Sequence, residues 1–104
     1  MFGWGVKKVS VDELAAKLAE GKQILVDVRE PYEFAAGHVK GAVNVPLGTL
    51  ASKLDRYDRH AEIFIMCHSG SRSASAASLM KKHGFENAYS VSGGTAAWRG
   101  KLVR

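Results

Sequence analysis

Short apolar runs alternate with segments of helical spacing along most of the chain, and this alternation is its most constraining feature. The runs are too short for helices and rich in β-branched residues, which is typical of buried strands. They cover residues 24–28, 42–45, 63–66 and 88–91. Strands that alternate with helices form a parallel sheet with helices on both faces. The sequence therefore predicts an α/β fold with a mainly parallel central sheet.

Local signals predict where the helices begin and end. Ser10 and Glu13 have the spacing of a capping box, and they precede a helical pattern that Gly21 can end. Pro31 suits the first turn of a second, shorter helix. Further helices are predicted over residues 47–54 and 73–83, and a last short one after Gly93-Gly94 that contains Trp98.

Size and composition limit the classes to which the chain can belong. Its 104 residues suffice for a single domain, predicted as residues 1–104 with a core at about 9–98. The net charge of +5 attracts small anions. The 15 Lys and Arg residues are scattered, so we expect no nucleic-acid partner. No apolar stretch approaches the roughly 18 residues of a membrane span, so we expect no membrane partner.

Cysteine and histidine usage limits the metal and redox chemistry. Cys67 is the only cysteine, which excludes an internal disulfide and a zinc cluster of several thiolates. The four histidines show no ligand spacing, so no metal site is predicted. A free cysteine is compatible with a reducing cytoplasm, where we expect the protein. Residues 1–8 lack the features of a signal peptide, and a periplasmic location stays open for a chain that has lost one.

The stretch around Cys67 carries the strongest chemical signal. The predicted strand 63–66 ends at Cys67, five residues follow, and the next helix is predicted to begin at Ser73. Ligands of parallel sheets bind beyond the carboxyl ends of the strands. Free N–H groups of the loop and helix start favour a thiolate, and Gly70 allows the loop to curl. The alternative is a buried structural cysteine, which is the common fate of a free thiol.

Four stretches in order resemble the rhodanese superfamily. The loop Cys67-x-x-Gly70-x-Arg72-Ser73 is similar to the active-site loop of that family. The other similar stretches are residues 27–34, residues 37–46, and Gly93-Gly94 followed by Trp98. The resemblance runs from about Val9 to Trp98. It implies a three-layer rhodanese-like domain.

The resemblance also implies a sulfurtransferase without a cofactor. Cys67 would be the nucleophile that takes a sulfane sulfur from a thiosulfate-like anion or a persulfide donor. The resulting persulfide would pass the sulfur to cyanide, a thiol or a protein acceptor. The residues that would bind the substrate are His68, Ser69, Gly70, Ser71 and Arg72. The residues that would support the site are Asp27, Arg29 and Ser73.

The same resemblance leaves the donor open. Thiosulfate enzymes of the family often carry basic residues directly after the cysteine, where this chain has His68 and Ser69. Arg72, at the end of the loop, is expected to supply the positive charge that those positions lack.

Three alternatives bear on this interpretation. Asp27 and Arg29 could act as catalytic acid and base, but a structural role for Asp27, as a carboxylate that accepts backbone hydrogen bonds near the loop, is favoured.

Cysteine phosphatases of a related type place five residues between the cysteine and the arginine, whereas four residues separate Cys67 from Arg72. The shorter loop is expected to fit sulfur better than phosphate. Non-catalytic binding or regulatory modules of this fold usually lack the cysteine that this chain keeps.

Overall fold

A sheet in which every strand runs parallel to its neighbours forms the middle layer of the protein. The computed structural model describes residues 5–104. The strands are β1 (Lys7–Val9), β2 (Ile24–Asp27), β3 (Val43–Asn44), β4 (Ile63–Met66) and β5 (Ala88–Val91). Their order across the sheet is β1-β5-β4-β2-β3. This order puts β4, which leads directly to Cys67, at the centre.

The connections between the strands are mainly helical. They contain α1 (Val11–Glu20), α2 (Pro31–Ala36), α3 (Leu47–Leu50), α4 (Ser71–Lys82) and α5 (Gly94–Ala97), with a 3₁₀ segment at Ala51–Arg56. Among residues 5–104, no helix is both long and apolar enough to cross a membrane.

Helices cover both faces of the sheet, which confirms the predicted three-layer α/β architecture. Side chains of successive strand residues point to opposite faces, and all four residues of β4 are buried. Ile65 packs in one core cluster with Met80 of α4, and Phe64 packs in the other with Leu14 of α1. The two helices therefore lie on opposite faces of β4, and Cys67, which follows this strand, packs in the cluster that contains Met80 of α4.

Most helix ends agree with the local signals in the sequence. The capping box is present, because the Ser10 amide donates to Glu13 Oε1 at 2.8 Å and the Glu13 amide donates to Ser10 Oγ at 3.0 Å. Gly21 ends α1, as predicted. The last helix stops at Ala97, so the prediction that it contains Trp98 is wrong by one residue.

Two helix predictions needed correction. The helix predicted to begin at Ser73 begins at Ser71, because Gly70 turns the chain with a left-handed φ of 104° and helical geometry starts directly after it. The helix predicted over residues 47–54 is α-helical only as far as Leu50 and then continues as the 3₁₀ segment.

The sequence did not predict the edge strand β1. Its three residues pair with β5, for example Lys7 with Tyr89 and Val9 with Val91. A three-residue segment with two lysines has no apolar run to mark it as a strand. Charged residues are nevertheless common on edge strands, where they discourage pairing with other chains.

Candidate active site

Cys67 lies at the carboxyl end of the central strand, where the short helix α5 holds its backbone in place. The Thr95 amide donates to the Cys67 carbonyl at 2.9 Å, and the Ala96 amide donates to the His68 carbonyl at 2.9 Å. The approach is so close that a Cβ atom on Gly94 would collide with the carbonyl oxygen of Cys67. The Gly93-Gly94 pair therefore lets the start of α5 pack directly against the backbone of Cys67.

The Cys67 sulfur lies in a pocket of hydrogen-bond donors. The Gly70 amide donates to Sγ at 3.1 Å and the Ser73 amide at 3.3 Å, while the Ser73 hydroxyl lies 3.6 Å away. Burial acts to raise the pKa of the Cys67 thiol. Hydrogen bonds from Ser73 and from the amides of Gly70 and Ser69 act in the other direction and prevail, so this pKa lies below its ordinary value.

The five residues predicted to cradle the substrate divide into two groups. His68, Ser69 and Gly70 form the loop, and the left-handed φ of Gly70 gives it the predicted curl. Ser71 and Arg72 were predicted to lie in the loop but form the first turn of α4. Their amides form no hydrogen bond within residues 5–104, as expected for the first turn of a helix. These N–H groups stay available to an anion beside the thiol.

The Arg72 guanidinium was predicted to supply free positive charge, but it forms a two-point ion pair with Glu33 of α2. Its Nη1 and Nη2 atoms lie 2.6 and 2.9 Å from the two carboxylate oxygens. The hydrogen bonds from Arg72 lower the pKa of Glu33 to about 2. The same contact raises the pKa of Arg72. The charge nearest the loop is therefore compensated. Glu33 lies within one of the stretches that resemble the family, but no local signal in the sequence marks it as a residue of the site.

Comparison with known proteins agrees with this geometry. The family model for the Rhodanese-like domain matches residues 10–101. The chain belongs to the rhodanese-like domain family. It is 37% identical over 93 residues to the thiosulfate sulfurtransferase GlpE of Pseudomonas entomophila, which covers 89% of this chain and 84% of GlpE.

Solved structures give the same result. The rhodanese-like domain protein of Staphylococcus aureus superposes with a TM-score of 0.86 at 34% identity, over 94% of this chain and 97% of that one. The human single-domain sulfurtransferase TSTD1 superposes with a TM-score of 0.84 at 30% identity, over 89% and 95% of the chains. The chain is also 35% identical to YrkF of Bacillus subtilis, but it spans only about half (52%) of the length of that relative.

Asp27 and Arg29 form a buried structural unit of the rhodanese domain. Arg29 Nη2 lies 2.8 Å from Asp27 Oδ2 and also donates to the Gly37 carbonyl at 2.8 Å. The only backbone amide that donates to the carboxylate within residues 5–104 is that of Arg29, at 3.0 Å. The carboxylate therefore accepts a backbone hydrogen bond, as expected, and its donor is Arg29 two residues further along the chain. The pair ties the end of β2 to the segment after α2, which agrees with the favoured structural interpretation.

Ser73 supports the thiol of the rhodanese domain together with a residue that the sequence did not indicate. Ser73 is buried in the first turn of α4, and its hydroxyl lies 2.7 Å from that of Ser90 in β5. Ser90 is part of an apolar strand pattern, and no local signal distinguishes it from an ordinary strand serine. Only the packing of α4 against β5 brings the two hydroxyls together.

Proposed function

We propose that this rhodanese domain is a sulfurtransferase that carries a sulfane sulfur on Cys67 as a persulfide. The observation that supports the proposal most strongly is the set of donors around Sγ, because the amides of Gly70 and Ser73 favour a thiolate at a buried position. The similarity to GlpE, a thiosulfate sulfurtransferase, and to TSTD1, a sulfurtransferase, supports the same reaction class.

The first half-reaction loads the enzyme. The Cys67 thiolate attacks the outer sulfur of a thiosulfate-like donor, a new S–S bond forms, and the donor's S–S bond breaks. Sulfite leaves with the electron pair of that bond. The outer sulfur of the persulfide is then positioned to accept hydrogen bonds from the free amides of Ser71 and Arg72. Such donors are fixed before the charge develops, which is how enzymes lower the energy of anionic transition states.

The second half-reaction returns the enzyme to its starting state. An acceptor, either cyanide or a thiolate, attacks the outer sulfur of the persulfide. The S–S electron pair returns to Cys67 Sγ, and the amides of Gly70 and Ser73 again stabilise the thiolate. In both steps a nucleophile displaces a leaving group at a sulfur atom and every electron pair is accounted for, so the scheme uses no cofactor. Two steps through a covalent intermediate predict ping-pong kinetics.

The proposed partners are a small anionic donor and a thiol or protein acceptor. The net charge of +5 supports an anionic donor. We place the reaction in the cytoplasm, where a single cysteine stays a reduced thiol between turnovers.

Intact-mass measurement tests the proposal directly. Incubation with thiosulfate should add one sulfur, about 32 Da, by covalent catalysis, and cyanide should remove it as thiocyanate. Cys67→Ser should gain no mass, whereas Ser92→Ala, which changes an exposed serine beyond β5, should behave as the wild type. A Cys67→Ser variant that still turns over would contradict the proposal.

The same preparations distinguish the two alternatives. A phosphatase would hydrolyse an aryl phosphate and lose this activity in Cys67→Ser. With four residues between Cys67 and Arg72 instead of five, the loop is expected to be too small for a phosphoryl group. A non-catalytic binding module would show neither sulfur loading nor phosphate hydrolysis.

A further inference from the structure

A pair of buried hydroxyls lies next to the thiol of Cys67. Ser73 and Ser90 are 0% and 1% exposed, and their Oγ atoms are 2.7 Å apart. A buried polar group lowers the stability of the folded protein unless it forms hydrogen bonds. Each hydroxyl has one hydrogen to donate, so the direction of each hydrogen bond can be worked out from the surrounding atoms.

The neighbours of Ser90 define the direction between the two hydroxyls. Within residues 5–104, the side chain of Ser90 has one hydrogen-bond partner, the Oγ atom of Ser73. If Ser73 donated to Ser90, the buried hydrogen of Ser90 would have no acceptor. Ser90 is therefore the donor and Ser73 the acceptor, which leaves the hydrogen of Ser73 free for another acceptor.

Two acceptors compete for the hydrogen of Ser73. One is the Gly70 carbonyl at 3.1 Å, which already accepts the Ala74 amide at 3.1 Å. The other is Cys67 Sγ at 3.6 Å. A neutral thiol donates its own hydrogen to Ser73, whose hydroxyl then points to the carbonyl. A thiolate has no hydrogen, and its negative charge draws the Ser73 hydroxyl towards the sulfur.

We propose that Ser90 is a positioning residue, whose hydroxyl donates to Ser73 and thereby strengthens the hydrogen bond that Ser73 donates to the sulfur of Cys67 whenever that sulfur is negatively charged. Only rotation about the C–O bond of Ser73 separates the two arrangements, so no heavy atom has to move. The inference rests on the proposed function for its role in turnover. There, Sγ becomes negative each time the acceptor removes the outer sulfur.

The expected shift of the thiol pKa depends on which of the two hydrogen bonds is lost, the one from Ser73 to the sulfur or the one from Ser90 to Ser73. Loss of the hydrogen bond from Ser73 to a charged sulfur is expected to raise the measured thiol pKa by about one unit. Loss of Ser90 removes only the polarisation of that bond, which strengthens a hydrogen bond by roughly 10–30%. We therefore expect a shift of about 0.3 unit for Ser90→Ala, which is about a twofold loss of thiolate at pH values below the pKa.

The rate of alkylation by iodoacetamide against pH measures this shift. It reports the thiolate of Cys67, the only thiol, and needs no sulfur donor. Ser90→Ala should slow alkylation about twofold at low pH and leave the high-pH plateau unchanged, since the thiolate itself is still exposed to the reagent to the same extent. Ser90→Thr keeps the hydroxyl donor and should keep the wild-type pKa. Ser92→Ala is the matched control.

The double variant tests whether Ser90 acts through Ser73. In a Ser73→Ala background, Ser90→Ala should have no further effect on the pKa. An equal shift of the thiol pKa in the wild-type and Ser73→Ala backgrounds would overturn the proposal. So would a Ser90→Ala alkylation profile identical to that of the wild type. Equal pKa shifts in Ser90→Ala and Ser90→Thr would overturn it as well. The mass test is independent of these results. Absence of the sulfur adduct alongside the predicted shifts would refute the proposed function and leave this inference standing.

Discussion

Glu33→Gln is the substitution that most directly tests how the site treats an anionic donor. The carboxylate compensates the charge of Arg72, which belongs to the predicted cradle, through two hydrogen bonds of 2.6 and 2.9 Å. Glutamine keeps the shape of the side chain. Its amide oxygen can still accept the Glu30 amide, which now donates to Glu33 Oε1 at 2.9 Å. The substitution therefore removes a negative charge and leaves the start of α2 in place.

The expected gain follows from Coulomb's law. A free guanidinium at about 6 Å from a donor, with an effective dielectric constant of about 40, attracts each unit of negative charge by about 1.4 kcal/mol. Two charges on thiosulfate would double this value. The Arg72 side chain is 36% exposed, so solvent and salt screen its charge and reduce this attraction by about half. We expect kcat/KM for thiosulfate to rise about tenfold, with most of the change in KM.

Thiocyanate formation at low and high ionic strength is the appropriate assay. The advantage of Glu33→Gln should be largest at low salt and should shrink as salt screens the charge. Glu62→Gln is the matched control. It removes the same charge from the residue that precedes β4, at the end of the strand away from Cys67. A Glu33→Gln enzyme that matches the control or the wild type, or that loses thiosulfate activity, would refute the argument that the ion pair limits the binding of anions.

Three stability predictions follow from the same structure. The folded-state pKa of Glu33, about 2, lies below its ordinary value of 4.5, so its ion pair stabilises the fold above about pH 4.5 and loses this contribution as the pH falls towards 2. After allowance for exposure, the ion pair contributes about 1 kcal/mol to the free energy of unfolding. In urea unfolding, the stability of Glu33→Gln should therefore fall less between pH 4.5 and 2 than that of the wild type. An equal fall in both proteins would contradict the stabilising role of the ion pair. Gly94→Ala should lower the free energy of unfolding by at least about 3 kcal/mol or prevent folding, because the φ of Gly94 is 54° and the added Cβ would collide with the carbonyl oxygen of Cys67. A melting temperature equal to that of the wild type would exclude this contact. Asp27→Asn should lower the free energy of unfolding by about 3–5 kcal/mol, because it leaves the buried Arg29 without its charge partner. Asp12→Asn breaks an exposed ion pair and should lower it by less than about 1 kcal/mol. Equal losses in denaturant unfolding would argue against a buried pair.

Elements with strong local signals could be predicted from the sequence. The apolar runs 63–66 and 88–91 coincide with β4 and β5, since a buried parallel strand needs side chains that are apolar on both faces. The capping box at Ser10 acts over three residues and is equally local. The edge strand β1 has no such signal, because its strand geometry depends on β5, which lies some eighty residues further along the chain.

The sequence by itself determined the surroundings of the Cys67 sulfur. A cysteine after a buried strand, followed by Gly70 and a helix start, has donors close to its sulfur for reasons that act within six residues of the chain. The sequence did not determine how these surroundings are tuned. The ion pair of Arg72 with Glu33 joins residues 39 positions apart, and the hydroxyl pair of Ser73 with Ser90 joins residues 17 positions apart. Both contacts depend on which elements pack together around β4, and that is decided by the order of the strands and the burial of the core rather than by any local pattern.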